Sequence, residues 1–212
     1  MTLVAFDFDG TLADSEMMDR LAARHGVGDE VADITERAMR GELSYAESLR
    51  ERASLVTGLA SEDAADVYDG VRLRDGAGDL LRKLADDGVR VVVLTGGFGR
   101  GVEAALDAAD VTVDRVVSNR LPEADGELTG DVDGPLIEGT KDDALVDVCK
   151  DYGVDVGESI AVGDGANDAP MLAEAGLGVG FQPKPGVEEH CDTVVESMSE
   201  LEALLRERSV LE

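Results

Sequence analysis

This 212-residue chain has no tryptophan, two histidines, two cysteines and only four lysines. His25 and His190 stand far apart, which excludes a histidine-rich zinc site. Cys149 and Cys191 form no C-x-x-C pair, so zinc ribbons, iron–sulfur sites and thioredoxin-type redox pairs are excluded too. Two cysteines make no disulfide framework and point to a reducing cytosol. No apolar run approaches the ~18 residues of a membrane span. The start, Thr2-Leu3-Val4-Ala5-Phe6-Asp7, has no basic segment and soon meets acid. No signal peptide is expected, and the expected location is cytoplasmic.

Positive charge is also scarce. Nineteen basic residues face 47 acidic ones, for a formal net charge of −28. The acids are spread along the chain, as in Ser61-Glu62-Asp63-Ala64-Ala65-Asp66, and so describe a solvated surface and not a binding tail. Such a surface repels nucleic acid and anionic membrane, and neither is expected as a partner. Many acids with few lysines resemble the proteins of halophiles, in which salt screens self-repulsion.

What the chain does contain is a core. Hydrophobic residues make up 43% of it, ample for a buried core, and the length suggests one domain, or one domain carrying a sizeable insertion. Short β-branched runs (Leu3–Phe6, Val89–Leu94, Val113–Val117, Ser159–Val162, Leu177–Phe181, Thr193–Val195) alternate with helical patterns such as Leu145, Val148, Cys149 and Tyr152. That alternation predicts an α/β fold with a mostly parallel sheet. Residues 14–74 break it. Their apolar residues recur at helical spacing throughout, as in Val31, Ile34 and Ala38, and predict an inserted helical module. The expected division is 1–13 with 75–212 as the core and 14–74 as the insertion. Asp125-Gly126 between strand-like segments predicts a hairpin.

Open α/β sheets bind ligands at the carboxyl ends of their strands. After the first strand comes Asp7-Phe8-Asp9-Gly10-Thr11-Leu12, two carboxylates on one side of an extended chain. Two like charges that close share a cation or a proton, unless the loop simply leaves them in water. After the second comes Thr95-Gly96-Gly97-Phe98-Gly99, a hydroxyl and backbone N–H groups suited to phosphate. Gly139-Thr140-Lys141-Asp142-Asp143 predicts a helix capped by Thr140 with Asp143 reaching back, and a first-turn lysine inviting an anion. Gly163-Asp164-Gly165-Ala166-Asn167-Asp168-Ala169-Pro170 offers oxygen ligands to a hard dication, and Pro170 can start a helix. Each piece alone also reads as an ordinary turn. Together they supply acids, a cation-binding set and phosphate donors in one order.

These four segments resemble the motifs of the haloacid dehalogenase-like hydrolases. The resemblance orders nearly the whole chain. It implies a Rossmann-like sheet between helices, with residues 14–74 as a mobile helical cap. Asp7-Phe8-Asp9-Gly10-Thr11-Leu12-Ala13-Asp14-Ser15-Glu16 and Met39–Arg52 resemble the branch of that family that hydrolyses O-phospho-L-serine, a step of serine biosynthesis. So do Thr95–Phe98 and the stretch from Asn119-Arg120-Leu121 to Leu128–Val132. Where Thr95 and Tyr45 stand, the family often has Ser and Phe.

The resemblance implies Asp7 as nucleophile and Asp9 as general acid and base. It implies magnesium on Asp7, the Asp9 backbone carbonyl and Asp164, with Asp168 in support. Thr95, Gly96 and Lys141 then hold the phosphoryl group and Asn167 orients the site. In the cap, Arg52 shares a helix face with Tyr45, Ser48, Leu49 and Val56. With Glu16 it is expected to take the carboxylate and ammonium of an amino acid. Alternatives are a phosphatase or phosphotransferase for another small monoester, and a phospho-aspartate receiver module. The expected assembly is a monomer or homodimer.

Overall fold

A computed structural model of the chain describes residues 2–138 and 140–212; Gly139, which opens the predicted lysine segment, lies outside them. Strand β1 (Leu3–Phe6) is followed by four helices, α1 (Met17–His25), α2 (Gly28–Met39), α3 (Tyr45–Leu55) and α4 (Ser61–Asp69). Then come α5 (Ala77–Asp86), β2 (Arg90–Phe98), α6 (Gly99–Ala108) and β3 (Arg115–Asn119). A small hairpin, β4 (Glu123–Ala124) and β5 (Glu127–Leu128), precedes α7 (Lys141–Tyr152). The chain closes with β6 (Ile160–Gly163), α8 (Ala169–Glu174), β7 (Leu177–Phe181), β8 (Thr193–Val195) and α9 (Met198–Glu207).

The main sheet runs in the order β3-β2-β1-β6-β7-β8, and every pairing in it is parallel. It is buried on both faces, as its Val- and Ile-rich strands require. Along β1, Val4 and Phe6 join the core that Leu80, Leu81 and Leu84 of α5 line, while Leu3 and Ala5 face Leu145 and Val148 of α7 and Met171 and Leu172 of α8. β2 alternates in the same way, Val91 and Val93 against Val92 and Leu94. Strand order reverses at β1, so the crevice beyond its carboxyl end is the natural ligand site.

Two boundaries differ from the sequence reading. β2 does not stop at Leu94. It continues to Phe98 through an irregularity: Thr95 pairs with Ser118, and the next pairing is Phe98 with Asn119. Gly96 and Gly97 occupy the extra length, and a bulge of this kind re-aims a strand end. β3 starts at Arg115 and not at Val113, because the Asp114 carboxylate accepts from Val91 N–H (2.8 Å) and ties the approach to the sheet edge.

The four helices from α1 to α4 lie where the helical spacing predicts them. α3 opens with a reciprocal cap that the sequence reading missed, though Ser44-x-x-Glu47 is its signature. Ser44 Oγ accepts from Glu47 N–H (3.2 Å), and Ser44 N–H donates to the Glu47 carboxylate (2.8 Å). The hairpin also forms as read, with Asp125 and Gly126 both at positive φ. Arg74 fastens the two ends of the four-helix excursion together. Its N–H donates to Leu12 O (2.7 Å), and its guanidinium donates to Gly10 O (2.8 Å) and Thr11 O (3.1 Å). Among the described residues no helix is long and apolar enough to cross a membrane.

Candidate active site

The carboxyl ends of β1, β2 and β6 meet α1, α2 and α3 around a cavity of about 720 Å³. Asp7 extends β1 by donating its N–H to Val162 O of β6 (2.8 Å). Phe8 turns into the core, which leaves Asp7 and Asp9 on the same side, both lining the cavity. Gly10 then turns the chain at φ +83°, and a methyl group there would collide with the Asp164 carboxylate. Thr11 Oγ1 donates to Asp164 Oδ1 (3.4 Å).

Lys141 is buried, with 2% exposure, in the first turn of α7. Its Nζ donates to Asp7 Oδ1 (2.5 Å) and also to Asp168 Oδ1. The other Asp168 oxygen accepts the backbone N–H groups of Asp164 (3.0 Å) and Gly165 (2.8 Å). Asp168 therefore holds both the lysine and the turn after β6. Thr140 does not cap α7 as expected; its hydroxyl instead donates to Pro135 O (2.9 Å). Pro170 does fall in the first turn of α8.

Burial dominates the electrostatics. It raises the Asp7 carboxyl well above the ordinary range, reinforced by Asp168 and opposed by Lys141. Asp9 is raised by burial and then by Glu16 and Asp7, and its Oδ1 is a buried acceptor without a partner among the described residues. Burial and the neighbouring acids both favour its neutral form. Burial alone would depress Lys141, but Asp168 and Asp7 outweigh it and raise the lysine, which stays charged.

Carboxylate oxygens of Asp7, Asp164 and Asp168 lie within 4.8 Å of one another. Lys141 serves Asp7 and Asp168, and Lys184 is shared between Asp164 and Glu16, so the acids here outnumber the cations, and hard oxygen donors suit a hard dication. The cluster can hold a metal ion.

The bulge of β2 forms the opposite wall. Thr95 Oγ1 accepts from Gly97 N–H (2.9 Å), and the buried Asn119 donates to Gly96 O (3.0 Å), fixing the turn. A methyl group on Gly97 would stand 2.5 Å from Asp9 Oδ2, so only glycine lets these two strand ends approach. Asn167 lines the cavity beside them.

The side of the inserted helices carries Glu16, Tyr45 and Arg52, all lining the cavity. Arg52 Nε donates to Ser48 O (3.3 Å), and no carboxylate pairs with Arg52 among the described residues. Glu16 already holds an ammonium, that of Lys184 at 2.8 Å, and the same Nζ stands 3.0 Å from Asp164 Oδ2. The sequence reading missed Lys184. Its signal was a lysine fixed between Pro183 and Pro185 in a chain of very few lysines. Every residue expected at the site is thus in or against one cavity: Asp7, Asp9, Glu16, Tyr45, Arg52, Thr95, Gly96, Asp164 and Asn167 line it, and Lys141 and Asp168 support Asp7 from beneath.

Comparison with known proteins gives a consistent answer. The family model described as haloacid dehalogenase-like hydrolase matches residues 1–176. A phosphoserine phosphatase of Halobacterium salinarum is 69% identical over 99% of this chain and 100% of its own length. Among solved structures, a phospho-aspartyl intermediate analogue of phosphoserine phosphatase superposes with a TM-score of 0.88 at 36% identity, covering 96% of this chain and 97% of the other. A substrate-bound phosphoserine phosphatase complex matches with the same score, identity and coverage.

Proposed function

The chain belongs to the haloacid dehalogenase-like hydrolases, and we propose that within this family it is a phosphatase that hydrolyses O-phospho-L-serine to L-serine and phosphate. The observation that carries the reading is one cavity holding two facing sets of groups. Asp7, Asp9, Thr95 and Gly96 stand at the strand ends, with Lys141 bonded to Asp7, while Glu16 and unpaired Arg52 stand on the cap. The first set suits a phosphoryl group; the second suits an amino acid's ammonium and carboxylate.

Asp7 attacks phosphorus in line, the ester bond to serine breaks, and an aspartyl-phosphate forms. Asp9, whose neutral form burial favours, gives its proton to the departing serine oxygen. As a carboxylate it then takes a proton from the water that cleaves the acyl-phosphate. Thr95 Oγ1, Gly96 N–H and the charged Lys141 hold phosphoryl oxygens as charge moves onto them. Asn167 orients the site, and Asp168 fixes Lys141 and the turn that carries Asp164.

Asp7, Asp164 and the Asp9 backbone carbonyl are the residues that would hold magnesium, and the acidic cluster fits it. When bound, magnesium neutralises phosphoryl charge that the aspartates would repel. Residues 14–74 act as the cap, closing over the substrate to exclude water. The two free cysteines accord with a reducing, cytoplasmic setting.

The test is phosphate release from a panel of monoesters, with magnesium in high salt, by wild type and Arg52→Ala. Phosphoserine is expected to lead the panel. Arg52→Ala is expected to lower kcat/KM for phosphoserine about tenfold or more beyond its effect on p-nitrophenyl phosphate, as loss of a charged hydrogen-bonded pair implies. Equal losses on both would remove Arg52 from substrate recognition. A sugar phosphate or phosphoglycolate leading the panel would overturn the substrate.

A further inference from the structure

Tyr45 opens α3 on the cap, yet its hydroxyl reaches the sheet. A methyl group built on Gly96 would collide with Tyr45 Oη, would stand 2.9 Å from its Cζ, and would meet Asn167 Nδ2 at 3.7 Å. The phenol therefore rests on the glycine of the β2 bulge, with the Asn167 amide close by. It lies deep in the cavity near Lys141, Arg52 and Asp7. No hydrogen-bond partner meets the hydroxyl among the described residues. A phenol without a partner, lining the cavity beside Asp7, Thr95 and Gly96, is free to donate to an oxyanion bound there.

We propose that the Tyr45 hydroxyl donates a hydrogen bond to a phosphoryl oxygen of the bound substrate, and so makes cap closure sense the phosphoryl group itself. The inference rests on the phosphatase reading above. It makes Tyr45 a binding residue brought by the cap, beside the donors that the sheet supplies. Substrate is then gripped at both ends by α3: Arg52 takes the carboxylate and Tyr45 the phosphoryl group, seven residues apart on one helix face. Burial pushes the phenol up to about 12, so it stays a donor across the working range. Gly96 has a second role in this arrangement, since any side chain there would expel the tyrosine.

The experiment is Tyr45→Phe, which keeps the ring and its packing and removes only the hydroxyl. Inhibition by orthophosphate and by L-serine is measured for both proteins, with KM and kcat for phosphoserine and p-nitrophenyl phosphate. Orthophosphate is expected to inhibit the variant about tenfold less well, the worth of a hydrogen bond to a charged group. Inhibition by L-serine is expected to be unchanged, and KM is expected to rise for both substrates, because both carry the phosphoryl group. Unchanged inhibition by orthophosphate would overturn the proposal. So would an equal loss for orthophosphate and serine, which would mark general damage to the pocket. Should wild type fail to hydrolyse phosphoserine, the substrate reading fails by itself. Calorimetric binding of orthophosphate to the two proteins then decides for or against Tyr45 on the same tenfold scale.

Discussion

Replacing Lys141 by methionine removes the one cation bonded to Asp7 among the described residues while keeping the length and most of the volume of the side chain. Lys141 and both its carboxylate partners are buried, at 2%, 4% and 0% exposure for Lys141, Asp7 and Asp168. The two acids do not suffer equally. Asp168 keeps two backbone N–H donors on its other oxygen, whereas Asp7 loses its lysine and faces Asp164 and Asp168 alone. Breaking a buried pair from one side costs about 3–5 kcal/mol. For a chain of this size, each kcal/mol moves Tm by about 2–4 °C, so the expected fall is about 6–20 °C in protein stripped of metal by a chelator. The deficit also has a pH dependence of defined sign. Burial raises Asp7, so the folded protein binds its proton more tightly than the unfolded chain does. Stability from that proton is present at low pH and is lost as pH rises through the folded value. Without Lys141 that value moves higher still, so the gap between variant and wild type widens with rising pH and narrows in acid. Asp7→Asn added to Lys141→Met is expected to recover much of the loss. Thermal melts of the single and double variants across pH provide the check. A Lys141→Met protein that melts with wild type at neutral pH would refute the reasoning.

Two further outcomes follow from the same structure. Asp7→Asn is expected to reduce phosphate release to background while leaving the melting temperature of the metal-free protein equal or higher, since it removes a buried charge; substantial turnover by the purified variant would exclude Asp7 as nucleophile. Raising potassium chloride from low to molar concentration is expected to raise Tm steeply, because a net charge of −28 repels itself over a screening length that shrinks from about 10 Å at 0.1 M to about 3 Å at 1 M; a Tm flat across that range would remove the halophilic reading of the surface.

Much of this was legible from residues alone, and the limits have physical causes. β1, β6 and β7 sit where Val, Ile and Leu crowd together, because a strand buried on both faces writes itself as an apolar run. Asp125-Gly126 announced its hairpin because that turn needs two positive φ values. The end of β2 was illegible: glycines carry no strand signal, and Gly96 and Gly97 are extended only because Asn119 and the crowding of Asp9 and Tyr45 hold them so. The prolines around Lys184 mark it in the sequence, but its role lies in Glu16 and Asp164, which only folding brings to its ammonium. Thr140 misled for a related reason, since its hydroxyl found Pro135 O in place of the helix it precedes.

The clasp that Arg74 makes on the backbone of Gly10, Thr11 and Leu12 gives the helical excursion a narrow neck. Departure and return lie side by side, directly downstream of Asp7. A different set of helices could be spliced between those two points without altering a single pairing in the sheet. What hangs from the neck is thus exchangeable in principle, while the strand ends with Asp7, Thr95 and Asp164 stay as they are.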